Sequence, residues 1–264
     1  MDHKPVRVAR KIEKEIELDA SPETVWRMLT DPQELARWFP LEASVIPGEG
    51  GKISRSWGPD WTSTAPIEIW EPNHRLRSVE SSTGKPVTVE WTIEARGGKT
   101  ILRLVQSAFE SGADWEKEFF DSTNYGWEFM LFNLRHYLER HSGRPRLVAW
   151  PRRKVEMTRA SVYEKLAGAG GLFVEGALNL SAGQPYSLHT ATNESWSGRV
   201  EFIVPGRGFC VTVKSLNDAL AWLTIEGAGP EHDAQFWFST YGLPQSQVRE
   251  IENRWVDGLK RVLG

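Results

Sequence analysis

Chemistry in a protein chain needs titratable or nucleophilic groups at spacings that let them act together, and here such groups are few and scattered. Cys210 is the sole cysteine. It lies in "GFCVTVK", an alternating stretch that reads as a strand, where a cysteine behaves as a small buried hydrophobe rather than a thiolate. Without a second cysteine there is no intrachain disulfide and no thiolate metal cluster, which fits a reducing, cytoplasmic compartment. The six histidines, His3, His74, His136, His141, His189 and His232, show no H-x-x-x-H or H-x-H spacing, so no metal site is expected. "PGEGG" and "GAGG" lack the Lys and Ser/Thr of a phosphate-binding loop and read as turns. Glu68, Glu90 and Glu94 alternate on strand-like segments and should face solvent. Opposing carboxylates inside a cavity would be the route to lyase or cyclase chemistry. No catalytic residue and no cofactor is assigned.

The composition points to apolar contacts instead. Thirteen of 264 residues are Trp, and a buried indole brings a large apolar area together with an N–H that needs a partner, so large cores or an aromatic-lined pocket are implied. Apolar content of 40% and charged content of 25% are ordinary for a globular chain. A net charge of −3 with the signs interspersed gives no reason to expect nucleic acid or an anionic membrane, the basic "PRRK" at Pro151 to Lys154 being the one exception. The N-terminus has no apolar export segment, and no run approaches the 18 apolar residues of a membrane span.

The elements that must position these residues follow from period and punctuation. "KIEKEIELDA" alternates as a strand and runs into "ASPETVWRMLTD", where Ser21 caps a helix and Pro22 takes its first position; "DPQELARWF" repeats the device with Asp and Pro. Six strand-like segments follow, "LEASVI", "GKISRSW", "APIEIWEP", "RLRSVESS", "PVTVEWTIEA" and "KTILRLVQSAF", separated by Gly, Pro and Asn turns. The half closes on a long helix in which Phe120, Asn124, Trp127, Leu131, Leu134 and Leu138 share one stripe. Gly126 within it marks a close approach or a kink.

A duplication is legible as well. "PIEIWEPNHRL" (Pro66 to Leu76) aligns with "RVEFIVPGRGF" (Arg199 to Phe209) without a gap, and the T-I-E of Thr92 to Glu94 recurs at Thr224 to Glu226. "VWRML" from Val25 echoes "VYEKL" from Val162, and the spacing of Trp127, Leu131 and Leu134 recurs at Trp255, Leu259 and Val262. The shared letters of "STNYG" and "STYG" fall outside this register. The expected domains are therefore 1–141, a Pro-rich basic linker over 142–157, and a shorter second copy over 158–264 that includes strands at "GLFVEGAL", "PYSLHTAT", "SGRVEFIVPG", "FCVTVKSL", "ALAWLTIEG" and "AQFWFSTYG" and a terminal helix.

Strand, helix pair, six-stranded antiparallel sheet and long helix is the order of the α+β helix-grip fold. "IELDASPETVWRMLTDPQELARWF", "GGKTILRLVQSAF" and "GWEFMLFNLRHYLE" resemble the family named after the activator of heat-shock protein 90 ATPase, within the START-like (SRPBCC) superfamily, over Ile12 to Arg140. The second half is similar to a degenerate member. That resemblance implies a curved sheet wrapped around the long helix with a cavity between them, and either a hydrophobic small molecule or a chaperone protein as partner. It supplies no invariant catalytic set. The residues expected to line the first cavity are Trp57, Trp61, Trp70, Trp91, Phe120, Asn124, Trp127 and Leu131, with closed core as the competing reading for each aromatic and a plain hydrogen bond as the competing reading for Asn124. Binding of a lipid-, polyketide- or flavonoid-like molecule without catalysis leads, ahead of a chaperone-ATPase cofactor and a cyclase or lyase.

Overall fold

A computed structural model describes residues 10–59, 61–80, 86–109 and 114–264. The last two residues of the strand expected to reach Ser82, and His3, lie outside the described residues.

Two side chains start the helices of the first half. Ser21 Oγ accepts from the Thr24 amide at 3.3 Å, and Asp31 Oδ1 accepts from Gln33 and Glu34 at 2.8 and 3.1 Å. They satisfy amides that the first helical turn leaves orphaned. With Pro22 and Pro32 at the first positions, α1 (Pro22–Thr30) and α2 (Pro32–Ala36) begin where the sequence places them. Before them runs β1 (Arg10–Leu18). After them the chain meanders through β2 (Glu42–Ile46), β3 (Lys52–Ser56), β4 (Thr62–Glu71), β5 (Arg75–Glu80), β6 (Val87–Arg96) and β7 (Lys99–Phe109). The sheet order is β1-β7-β6-β5-β4-β3-β2, antiparallel throughout. The long helix α3 (Asp114–His136) follows and ends in a π-helical turn, Tyr137–His141. This is the helix-grip fold.

Period-two alternation decides which side of the sheet is which. Ile53, Ala65, Ile67, Leu76, Val89, Trp91, Ile93, Leu102 and Leu104 are buried and share the inner face. The outer face carries the carboxylates: Glu68 pairs with Arg77 at 3.0 Å, Glu90 with Arg75 at 2.9 Å and Glu94 with Arg103 at 2.7 Å. All three face solvent, as their alternation predicts.

The chain divides into two compact units, Met1–Gly143 and Arg144–Gly264. The second contains β8 (Arg146–Ala149), β9 (Arg152–Val155), α4 (Arg159–Ala167), β10 (Pro185–His189), β11 (Ser195–Val204), β12 (Gly208–Val213), β13 (Ala219–Glu226), β14 (His232–Tyr241) and α5 (Gln245–Leu263). Its strand order is β10-β11-β12-β13-β14-β8, with β9 also on β14. The segment expected as a linker over 142–157 is thus structural: β8 and β9 are one edge strand broken at Trp150 and Pro151, and they occupy against β14 the place that β1 holds against β7. Pro151 and the basic residues hid its strand character, because proline and exposed charge are what an edge position tolerates. The strand expected in "GLFVEGAL" is also absent. Gly170 and Gly176 adopt φ of 75° and 80° there, and the backbone folds back so that Leu172 N reaches Leu166 O at 3.0 Å. This loop delivers Leu172 and Phe173 into the second core.

The duplication holds at the level of register. In the first domain Ile67 pairs Ser78, then, past a bulge at Glu68, Ile69 pairs Arg77, Trp70 pairs Leu76 and Glu71 pairs Arg75. In the second, Val200 pairs Val211, then, past a bulge at Glu201, Phe202 pairs Cys210, Ile203 pairs Phe209 and Val204 pairs Gly208. The turns that follow place Asn73 and Gly206 at φ of 65° and 69°, a left-handed conformation open mainly to Gly and Asn.

Candidate functional site

The aromatic residues of the first domain form a connected wall. Trp91 on β6 meets Trp127 on α3 with ring centroids 5.4 Å apart and Trp38 at 6.2 Å, both edge to face. Phe39 meets Trp127 at 4.9 Å, Trp38 at 5.3 Å and Trp57 at 5.4 Å. Trp57 stacks on Trp61 at 4.7 Å, across a turn in which Trp57 N bonds Trp61 O at 2.9 Å and Gly58 takes φ of 121°. Burial grades along the wall: Trp38 is fully buried, Trp91 and Trp127 nearly so, Trp57 is half-buried and Trp61 is 55% exposed. It therefore runs from core to surface.

Of the eight residues expected to line a cavity, Trp57, Trp61, Trp91 and Trp127 are brought together in this wall. Leu131 is buried one turn beyond Trp127 on α3. Phe120 and Asn124 are half-buried on the N-terminal half of that helix, with the Arg10 guanidinium 5.6 Å from the centre of the Phe120 ring. Trp70 sits apart, edge to face with Trp26 of α1 at 5.0 Å. The bulge at Glu68 turns it toward that helix.

Helix α3 changes character along its length. Met130, Asn133 and Tyr137 are buried, Asn133 donating to Trp38 O at 2.7 Å. From Glu116 to Gly126, by contrast, every residue is half-buried except the exposed Lys117. Gly126 lies on the helical row of Met130, Asn133 and Tyr137, yet a Cβ added there would meet nothing within 4 Å among the described residues. Of the close approach or kink expected at Gly126, the close approach is not found among the described residues.

Polar groups sit on the inner face at this same end of the sheet. Gln106 of β7 is buried and accepts from Trp127 Nε1. Arg55 of β3, 7% exposed, points inward beside Ile53; its Nη1 donates to Glu80 Oε1 at 2.5 Å, and Ser63 Oγ donates to the same oxygen at 2.8 Å. Burial holds the Arg55 pKa below its usual value, against the pull of Glu80. The guanidinium lies 5.6 Å from the centre of the Phe39 ring, so the ion pair adjoins the aromatic wall. Lys14 of β1 also faces inward and pairs with Glu128 of α3 at 3.6 Å. Sequence reasoning overlooked Phe39, Arg55, Glu80 and Gln106. The signal was available in the alternation of "KISRSW" and "RLRSVE", which puts Arg55 in phase with Ile53 and Glu80 in phase with Leu76.

No group of three or more His, Cys, Asp or Glu suited to a metal ion occurs among the described residues, and no helix among them is long and apolar enough to cross a membrane. Cys210 is fully buried and its thiol pKa is pushed well up by burial, which suppresses the thiolate. Two open surface grooves of about 360 Å³ lie on the second domain, one lined by residues including Glu175, Asn179 and Gln184, the other by residues including Glu164, Gly171 and Arg261. Tyr186 is the one aromatic residue in the lining of the first, and the lining of the second has none.

Residues 19–139 match the model of the family described as activator of Hsp90 ATPase homolog 1-like protein. The first domain is similar to this family over most of its length. Its span covers α1 through α3, the elements that hold the aromatic wall. Among solved structures, the chain is similar to the Aha1 dimer from Colwellia psychrerythraea, at 20% identity and TM-score 0.46, over 51% of this chain and 99% of that one. It is also similar over nearly its whole length to two others. One is DynU16, a putative protein in the dynemicin biosynthetic locus, at 18% identity and TM-score 0.45 with 96% and 97% of the two chains covered. The other is the di-domain ARO/CYC BexL from the BE-7585A biosynthetic pathway, at 14% identity and TM-score 0.45 with 96% of each chain covered. Among curated proteins there is no match.

Proposed function

We propose that the first domain binds an apolar or aromatic small molecule between the sheet and α3, without transforming it, while the second domain serves as a closed structural partner. The observation that carries this reading is the aromatic wall of Phe39, Trp57, Trp61, Trp91 and Trp127, which adjoins a half-buried segment of α3 where a Cβ added at Gly126 meets none of the described residues within 4 Å. Such a wall with a few polar groups at one end is the usual make-up of a small-molecule site. A cyclase or lyase would need a pair of titratable groups acting on one substrate. On the inner face of β1–β7, among the described residues, Glu80 is the sole carboxylate, and it is held by Arg55 and Ser63.

The test is titration of the protein with fatty acids, flavonoids and aromatic polyketides, followed by tryptophan fluorescence, with native mass spectrometry of freshly purified protein. A saturable change in emission, weakened in Trp127→Ala and Trp57→Ala, is the expected result. No change with any member of the set and no co-purifying molecule would sink the reading.

A further inference from the structure

The binding reading leaves open what kind of molecule the site prefers, and the charges on its inner wall narrow the choice. We infer that the Arg55–Glu80 pair is the polar subsite of this pocket and selects a neutral, hydroxyl-bearing planar aromatic, such as a phenol or naphthol, over a carboxylate such as a fatty acid. This inference rests on the ligand-binding reading of the same site.

Arg55 is buried, and its Nε is enclosed with no hydrogen-bond partner. That enclosed Nε is out of a ligand's reach, and the Arg207–Glu226 pair of the second domain has one too; the reachable part of the Arg55 pair is Glu80, whose side chain keeps 18% exposure. Glu80 supplies the complementary acceptor a short distance away, on an oxygen pair of which Oε1 already receives Arg55 and Ser63. Donor and acceptor side by side match a hydroxyl, which accepts from one and donates to the other. A carboxylate fits less well. It would gain Arg55 but lie against Glu80, and Lys14 on the inner face is already paired with Glu128. Within the Arg55–Glu80 pair the charges offset each other, and bringing an unpaired charge against it carries a desolvation cost that this pair does not offset. The Phe39 ring beside Arg55 and the Trp57 and Trp127 rings beyond it supply the stacking surface that a planar ring uses.

The experiment is equilibrium dialysis at neutral pH with four probes: naphthalene, 2-naphthol, 2-naphthoate and dodecanoate. 2-Naphthol is expected to bind about tenfold or more tighter than naphthalene, 2-naphthoate and dodecanoate, the factor that one hydrogen bond to a charged group gives. In the double variant Arg55→Leu/Glu80→Val the ratio of naphthol to naphthalene affinity should fall to about one, since both partners of the hydroxyl are then gone. In Glu80→Gln the balance tips to positive, and 2-naphthoate should overtake 2-naphthol. A naphthol no better than naphthalene, or a carboxylate bound tightest by the unmodified protein, overturns the inference while leaving the binding function standing. Failure of all four probes to bind overturns the binding function, and this inference with it.

Discussion

The two domains share a backbone register and differ in what lines it. Strand pairing makes Arg55, Ser63, Ser78 and Gln106 of the first domain equivalent to Leu188, Trp196, Val211 and Phe238 of the second. Glu80, two residues past Ser78, falls at Val213, two past Val211. Each of these five polar groups is an apolar residue in the second copy. Phe173, brought in by the loop that replaces a strand, lies 5.6 Å from Trp196 and 6.0 Å from both Phe209 and Trp255, while Trp255 of α5 packs on Phe236 at 4.7 Å and Trp196 at 4.8 Å. These five rings and Phe238 are essentially without exposure. One architecture has been packed solid, and the other carries polar side chains on the same inner face. The lesson is that the fold sets where a pocket can be, and about six side chains decide whether there is one.

The sharpest break in this comparison comes from paired truncations. Trp255→Ala should cost about 3–5 kcal/mol, the range for removing a large buried aromatic, read as a lowered urea midpoint for the second domain. Trp127→Ala, on the aromatic wall, should cost less and act chiefly on ligand affinity. Equal losses would mean that the first interior is as closed as the second.

The ion pair gives the next test. Glu80→Val leaves Arg55 buried without its counter-charge and should cost about 3 kcal/mol, the lower end for breaking a buried pair. The double change Arg55→Leu/Glu80→Val, which installs the second domain's own residues, should recover most or all of that loss in thermal unfolding. If it does not, the pair is supporting the fold rather than serving a subsite.

Smaller effects follow at two helical glycines. A Cβ on Gly258 of α5 would already touch Leu172 at 3.6 Å and Thr192 at 3.8 Å, so Gly258→Leu overpacks the second core and should cost about 1–3 kcal/mol. Gly126→Leu should be tolerated or stabilising by about 0.5–1 kcal/mol through helix propensity, while reducing ligand affinity by filling the proposed pocket. Loss of stability on Gly126→Leu would count against that pocket.

The smallest effect concerns Asp233 on β14, whose Oδ1 is enclosed with no hydrogen-bond partner and whose pKa is raised, chiefly by burial. A carboxyl with a raised folded-state pKa favours the folded state while protonated and loses that contribution as pH rises through the folded value. Asp233→Asn should therefore raise stability at neutral pH by a few tenths of a kcal/mol, about the scale of a half-exposed charge. The gain should shrink as pH falls below the ordinary carboxylate range. A gain that persists in acid would assign the effect to something other than ionisation.

Much of this could be read from the chain. Helix starts at Ser21 and Asp31, the meander, and the duplication through Glu68 and Glu201 depend on local chemistry that sequence displays directly. What escaped was set by tertiary position. The edge strand at Arg146 to Val155 carries the proline and charge that usually signal a loop, and "GLFVEGAL" has strand-like composition but is bent by its glycines into the core. Trp70 has the same neighbours in sequence as a pocket residue, and only the bulge before it sends it to Trp26. Arg55 and Glu80 were missed because inward-facing charge runs against the rule that strands bury their apolar side. They face each other, so each makes the other tolerable, and that pairing is visible only in three dimensions.

The break at Trp150 and Pro151 has a consequence for how the protein keeps its own company. An open sheet invites a strand from another molecule to add at its margin, and a long regular margin is a template for fibrous association. Here the margin offered by β8 and β9 consists of two four-residue pieces separated by a residue that has no amide to donate, with Arg152 and Lys154 exposed along it. A second chain would find no unbroken ladder to extend and would meet positive charge on the way in. Replacing Pro151 by valine would join the pieces, and the first symptom should be self-association at high concentration rather than a change in folding.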